Sequence, residues 1–377
     1  MKSVRVIFYL FPTCLVLFGA AWESFGDSST VVSNSVRLSH PAIEGKKPIE
    51  YTLYRNKTAD AVKDGYFMDV DSVICEDGQC AFLTGSMHWD LIGRYRRYSL
   101  EPGKDLTKQK HHRFAPEDYI RLDRLLHNRD SLLRDHPFKD LTKPGKEKDV
   151  HGITGATTEA LKAETVPGAV HTCYTLWHWA NGDVVNAIRE LTATSLDTAL
   201  ACRLLKSGDE TVIIFTLETL ESRGIYDPEA VNTVKQALAT AKGDTLTLCL
   251  RYLKSATKDT ALFYSDAAAL FGRLNQRGRY TLLGFVESQP DLPGDFLGTL
   301  IGLVPSATEY YEVHRILTLA ERHQYSSDGT NGKVAELLTS DSFFIARRAF
   351  WFLEKRELEE KEKEKIKAFR QRYGDRL

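Results

Sequence analysis

Two neighbouring stretches of the chain carry residue types and spacings that could do chemistry. Residues 152–158 read Gly-Ile-Thr-Gly-Ala-Thr-Thr. Such a run exposes its hydroxyls with little steric cover and lets another molecule come close to the backbone. It is not a Walker A loop, because no Gly-Lys-Ser/Thr follows, and no Gly-x-Ser-x-Gly nucleophile elbow is present. The same letters suit an ordinary helix start, with Thr157 or Thr158 capping a helix over Glu-Ala-Leu-Lys-Ala-Glu. The second stretch holds His171, Cys173, Tyr174, Trp177, His178 and Trp179. On a helix His171, Tyr174 and His178 share one face. A flat, apolar-faced ring could stack on these aromatics while the histidines donate hydrogen bonds to it. The same residues could equally pack the interface between two domains. A haem site would need Cys-x-x-Cys-His, and a zinc site built on His171, Cys173 and His178 lacks a fourth ligand at sensible spacing. No acid–base pair or catalytic triad is legible, which argues against a hydrolase.

Thr154-Gly155-Ala156-Thr157 resembles the Ser/Thr-Gly-Ala-Ser/Thr motif of FMN-binding domains. These occur in the flavin-carrying subunits of sodium-pumping quinone reductases and Rnf complexes, and in exported redox proteins. The resemblance covers the motif and its immediate flanks. It implies a small α+β domain with a sheet ahead of the motif, and FMN as cofactor. It also implies a phosphoester to the last hydroxyl of the motif, here Thr157, made by a flavin transferase using FAD, and a redox partner protein. One position departs from the family pattern: His151 stands where the motif usually has Asp, and the nearest aspartate is Asp149. The expected cofactor site is therefore Thr154, Gly155, Ala156 and Thr157 with His151, joined by Tyr174, Trp177 and His178 from the second stretch. FMN would sit on or beside Thr157 and carry the electrons, while the protein positions it and tunes its potential. The alternative reading is a non-enzymatic exported scaffold with a helical binding surface and no cofactor, which the substitution at His151 favours.

The elements that must position these residues follow from the pattern of the chain. Residues 1–21 combine Lys2 and Arg5, an apolar run and Gly19-Ala20-Ala21, the order of a secretory signal peptide. The expected product is exported to a periplasm or the extracellular space, with no stable transmembrane span in its mature form. Cleavage after Ala21 takes the formal charge from −1 to −3, because Lys2 and Arg5 are the only charges lost. A charge so near zero does not describe a global nucleic-acid binder. In an oxidising compartment Cys75 and Cys80, flanking the turn Glu-Asp-Gly-Gln, are expected to form a local disulfide. Cys173, Cys202 and Cys249 fall in helical stretches and read as buried thiols.

Residues 22–47 are polar without a sustained period and read as a linker. Residues 48–182 alternate β-like runs with one amphipathic helix and form the α+β, FMN-binding-like domain. Residues 183–353 read as successive short helices, an all-α, HEAT-like repeat domain. There Cys202-Arg-Leu-Leu-Lys-Ser echoes Leu250-Arg-Tyr-Leu-Lys-Ser at an offset of 48 residues. Residues 354–377 alternate charge around a sparse stripe of Leu358, Ile366, Phe369 and Tyr373 and read as a solvated terminal helix.

Overall fold

The computed structural model describes residues 30–43, 47–58, 64–73, 82–108, 112–141, 155–307, 309–327 and 329–377. For residues 71–73, 82–83 and 155–158 the description is of the backbone alone. The signal-peptide residues 1–21, Cys75 and Cys80, His151 and Thr154 all lie outside the described residues.

An antiparallel sheet comes first, in the order β1 (Thr30–Leu38), β2 (Ile49–Lys57), β3 (Gly65–Val73), β4 (Phe82–Trp89), β5 (Tyr95–Leu100). Strand β1 lies inside the stretch expected to be a linker, and pairs with β2 from Thr30↔Lys57 to Leu38↔Ile49. It looked like a linker because it is an edge strand: of its nine residues only Leu38 is buried, so little hydrophobic alternation was required of it. The inner strands alternate as a one-sided sheet must. Leu53, Tyr66, Met68, Met87 and Trp89 face the core, while Tyr54, Phe67 and His88 stack in a row on the other face.

Helix α1 (Pro116–His127) packs on β5 and on α3 (Val170–Asn181). Its start is set by Pro116 at the first helical position and by Asp118, whose carboxylate accepts the Ala115 N–H at 2.8 Å. Helix α2 (Gly155–Glu164) leads into α3, which is followed by α4 (Asp183–Thr194). Eight of the twelve residues of α3 are buried, so this helix runs through the core rather than along its surface.

The remaining helices are α5 (Thr198–Leu205), α6 (Glu210–Ser222), α7 (Pro228–Ala237), α8 (Gly243–Ala256), α9 (Thr260–Phe271), α10 (Gln276–Glu287), α11 (Gly294–Leu303), α12 (Tyr310–Arg322), α13 (Thr330–Glu336), α14 (Phe343–Leu353) and α15 (Glu360–Tyr373). The chain is thus an α+β unit followed by an all-α unit. Helices α6, α8, α10, α12 and α14 pack in succession as one layer, and α9, α11, α13 and α15 as a second, with α5 and α7 together at its near end. Each pair contacts only its neighbours, the arrangement of a stacked repeat.

The first-layer helices start at 210, 243, 276, 310 and 343, spacings of 33, 33, 34 and 33 residues. That period is shorter than the roughly 40–47 residues of HEAT-type repeats and close to the roughly 34 of other two-helix repeats. The 48-residue echo pairs α5 with α8, which occupy opposite layers, so it is not the spacing at which the helices stack. The true period is written in charge. Glu221, Lys254, Glu287, Glu321 and Glu354 recur at the same 33–34 residue interval near the ends of successive helices. Each reaches forward: Glu221 to Arg251 (2.5 Å), Lys254 to Gln289, Glu287 to Arg315 (2.6 Å), Glu321 to Arg348 (2.8 Å) and Glu354 to Arg370.

Helix α15, most of whose residues are exposed, docks by that sparse stripe at the end of the second layer. Ile366 and Phe369 are buried, with the Phe369 ring 5.5 Å from that of Phe350. A stripe too sparse to drive folding alone suffices to dock a helix on a preformed layer.

No flexible tether separates the two units. Buried Asp64 receives Arg55 from β2 and Arg203 from α5, the latter at 2.6 Å. Arg94 in the β4–β5 turn bridges Asp90 and Asp209, the residue that caps α6, at 2.6 Å each. Gly93 in that turn has φ +79, and a Cβ there would meet Val185 Cγ1 at 2.9 Å, so α4 approaches the hairpin as closely as a glycine permits.

Candidate functional site

The residues expected to hold a cofactor are distributed unevenly. Gly155, Ala156 and Thr157 form the first turn of α2, the helix start that the sequence also allowed. Tyr174, Trp177 and His178 lie on α3, but their faces are taken by protein. Trp177 and Tyr174 are each only 2% exposed. The Trp177 indole donates to the Asn128 carbonyl at 2.8 Å, closing the end of α1. Tyr174 packs between Phe138 (5.4 Å) and His178 (4.2 Å). His178 Nε2 bonds the Leu133 carbonyl at 3.0 Å. A further ring joins them from just past the end of β1: His40 stacks on Trp179 at 4.6 Å and lies 6.0 Å from His178. Its Nε2 donates to the Thr175 carbonyl (2.9 Å) and its Nδ1 accepts the Ala42 N–H (3.2 Å), which defines a neutral tautomer.

Electrostatics in this cluster follow burial. Removal from water holds His40 and His178 down to about 4, so both are neutral near pH 7. It pushes Tyr174 and Cys173 up to about 12. Cys173 is therefore a thiol, with its sulfur accepting the Val166 N–H at 3.3 Å. Cys202 and Cys249 are likewise buried and free, as their helical settings predicted. Such thiols are inert packing groups rather than redox centres. Among the described residues no group of three His, Cys, Asp or Glu side chains could hold a metal ion, and no helix is long and apolar enough to cross a membrane.

At the far end of the helical stack the same residue types turn outward. Tyr280 of α10, Tyr310 and Tyr311 of α12, and Phe343, Phe344 and Trp351 of α14 form one aromatic stripe across three successive first-layer helices. Phe344 is 58% exposed, Tyr311 50%, Tyr310 39% and Trp351 37%. Ring contacts join Tyr280 to Tyr311 at 5.0 Å and, separately, Tyr310 to Phe344 at 6.3 Å and Phe344 to Phe343 at 6.0 Å; Tyr310 and Tyr311 are neighbours along the chain. Arginines lie over these rings. The Arg347 guanidinium is 4.7 Å from the Trp351 ring, 5.3 Å from Phe343 and 5.5 Å from Phe344. Arg376 lies 4.0 Å from Phe343, and Arg315 5.3 Å from Tyr311.

No family model matches the chain, and neither does any curated protein or solved structure.

Sequence reasoning missed the stripe because its residues form no catalytic or cofactor motif and exposure of a ring is not a local property of the chain. The signal was nevertheless there. Tyr310-Tyr311 and Phe343-Phe344 are paired aromatics 33 residues apart, each opening a helix of the repeat. Neighbours on a helix point about 100° apart, so a pair of adjacent aromatics opening an amphipathic helix tends to leave one of the two outside the core stripe.

Proposed function

We propose that the protein is a non-enzymatic interaction scaffold whose working surface is the aromatic stripe of α10, α12 and α14. The exposure of that stripe carries the reading. A folded chain rarely leaves a contiguous run of large aromatics in water unless something covers it. Tyr, Trp, Phe and Arg are also the residues enriched at the centres of protein interfaces. The rigid stack behind the stripe supports it: Arg315 and Arg348 tie α12 and α14 to the preceding helices through Glu287 and Glu321. Export to a periplasm or the extracellular space, expected from residues 1–21, is part of this proposal.

A second reading keeps the flavin, and one observation favours it. Gly155–Thr157 open a helix, where backbone N–H groups and the helix dipole suit a phosphate. FMN would then be esterified to Thr157 by a flavin transferase and would pass electrons to a partner protein. The deciding measurement is the intact mass of the protein from its native envelope fraction beside a Thr157→Ala variant. An unmodified mass, with no flavin released on denaturation, supports the scaffold. An FMN-sized increment present only in the unmutated chain establishes the flavin carrier instead.

A further inference from the structure

We infer that the stripe takes an extended segment of another protein in which carboxylates alternate with apolar or aromatic side chains. This rests on the scaffold reading and names the chemistry of its partner.

The argument is one of charge accounting. The carboxylates on the helices beneath the stripe are already engaged. Glu287 holds Arg315, Glu312 holds Arg279 at 3.2 Å, and Glu321 holds Arg348. Two further acids, Glu309 and Asp341, stand just ahead of α12 and α14, where they complement the positive helix ends. Arg347 and Arg376 make no ion pair among the described residues. The Nε of Arg347 is shut off from solvent and meets no hydrogen-bond acceptor. Both guanidiniums lie over ring faces, and the outer edge of each, its two terminal Nη groups, makes no ion pair among the described residues. That edge matches a carboxylate in a two-pronged geometry. A bound carboxylate would find a cation already oriented by three rings, and its apolar neighbours would find Tyr311, Phe344 and Trp351 beside it.

The layout also sets a length. Helices within a layer pack roughly 8–10 Å apart, and an extended chain rises roughly 3.3 Å per residue. Crossing from Tyr280 to Phe344 spans two such intervals, which needs roughly six residues.

The test is selection of a random-peptide phage library on the full chain, repeated on the Arg347→Glu and Phe344→Ala variants. The variants' thermal unfolding is measured alongside to confirm that each remains folded. The expected result is an enriched motif with acidic residues between aromatic or aliphatic ones. A synthetic peptide carrying that motif should lose roughly tenfold or more in affinity on either substitution. Its affinity should also fall with added salt, as an Arg–carboxylate contact at a surface requires. An enriched motif without acids, lost with Phe344→Ala and indifferent to Arg347→Glu, overturns the partner chemistry and leaves the scaffold reading standing. Enrichment indifferent to both variants, or none at all, overturns the peptide partner and the stripe as working surface together. Sedimentation of the unmutated chain covers the remaining occupant: concentration-dependent dimers abolished by Phe344→Ala would assign the stripe to a second copy and overturn the inference.

Discussion

Helix α3 and the outer edge of α12 and α14 are built from the same materials and put them to opposite use. Helix α3 concentrates Tyr, Trp and His within about three turns, and the outer edge of α12 and α14 concentrates Tyr, Phe and Trp. On α3 the rings are enclosed, the indole of Trp177 is bonded to Asn128 and the imidazoles are held neutral. On the outer edge of α12 and α14, Tyr310, Tyr311, Phe344 and Trp351 are open to water and the groups over the rings are arginine guanidiniums. An aromatic cluster therefore says little about function until its polar companions are accounted for. Histidines satisfied by backbone carbonyls mark a packed core, whereas arginines stacked on rings without a carboxylate mark a surface awaiting one.

Breaking the inner cluster should produce the largest effect. Trp177→Ala removes a buried ring and orphans the Asn128 carbonyl, and denaturant unfolding should register a loss of about 3–5 kcal/mol. A loss below about 1 kcal/mol would mean that α3 is not the core helix described.

Acid should come next. His40 has an ordinary value of 6.5 in the unfolded chain and about 4 in the folded one. The unfolded state therefore binds the extra proton between those values. The stability involved is intact above pH 6.5 and is lost as pH falls toward 4, on the order of 3 kcal/mol for His40. His178 and His88, also held near 4, add in the same direction. Asp183, which partly offsets the effect at His40, and His178, which reinforces it, face the same ring. Chemical denaturation at pH 7 and pH 4.5 measures the drop, and His40→Gln should flatten the profile. An unchanged midpoint would contradict the burial of these rings.

The outer cluster should respond least in stability. Phe344→Ala is expected to shift unfolding by no more than about 0.5 kcal/mol, since its ring is mostly in water. Arg251→Ala, which breaks the exposed pair with Glu221, should cost at most about 1 kcal/mol. A marked destabilisation at Phe344 would make the stripe a structural contact and erase its contrast with α3.

Element types were largely legible from local pattern. Strands β2 to β5, helix α1, and α6, α7 and α8 all fall where alternation, Pro and Asp breaks, and three-to-four spacing placed them. The first helical stretch after Gly182 divides into α4 and α5 at Ser195, Leu196 and Asp197, the last capping α5 through its side chain. Strand β1 was not legible, because an edge strand with one buried residue resembles any polar segment. The repeat period was obscured for a related reason. Local likeness, as between the ends of α5 and α8, reports helix termini, whereas the stacking interval is carried by single charges 33–34 residues apart.

The sequence by itself determined most of the helices and strands apart from β1, that a sheet precedes a run of helices, and that Cys173, Cys202 and Cys249 are packing groups. Those outcomes rest on periodicity and composition, which are properties of neighbours along the chain. Only the tertiary structure decided which aromatics face inward. Trp177 and Trp351 each sit in an aromatic-rich helix, and no local rule separates them. Their fates depend on which helix packs over them: α1 closes over Trp177 through Asn128, whereas Trp351 stays 37% exposed with the Arg347 guanidinium 4.7 Å from its ring.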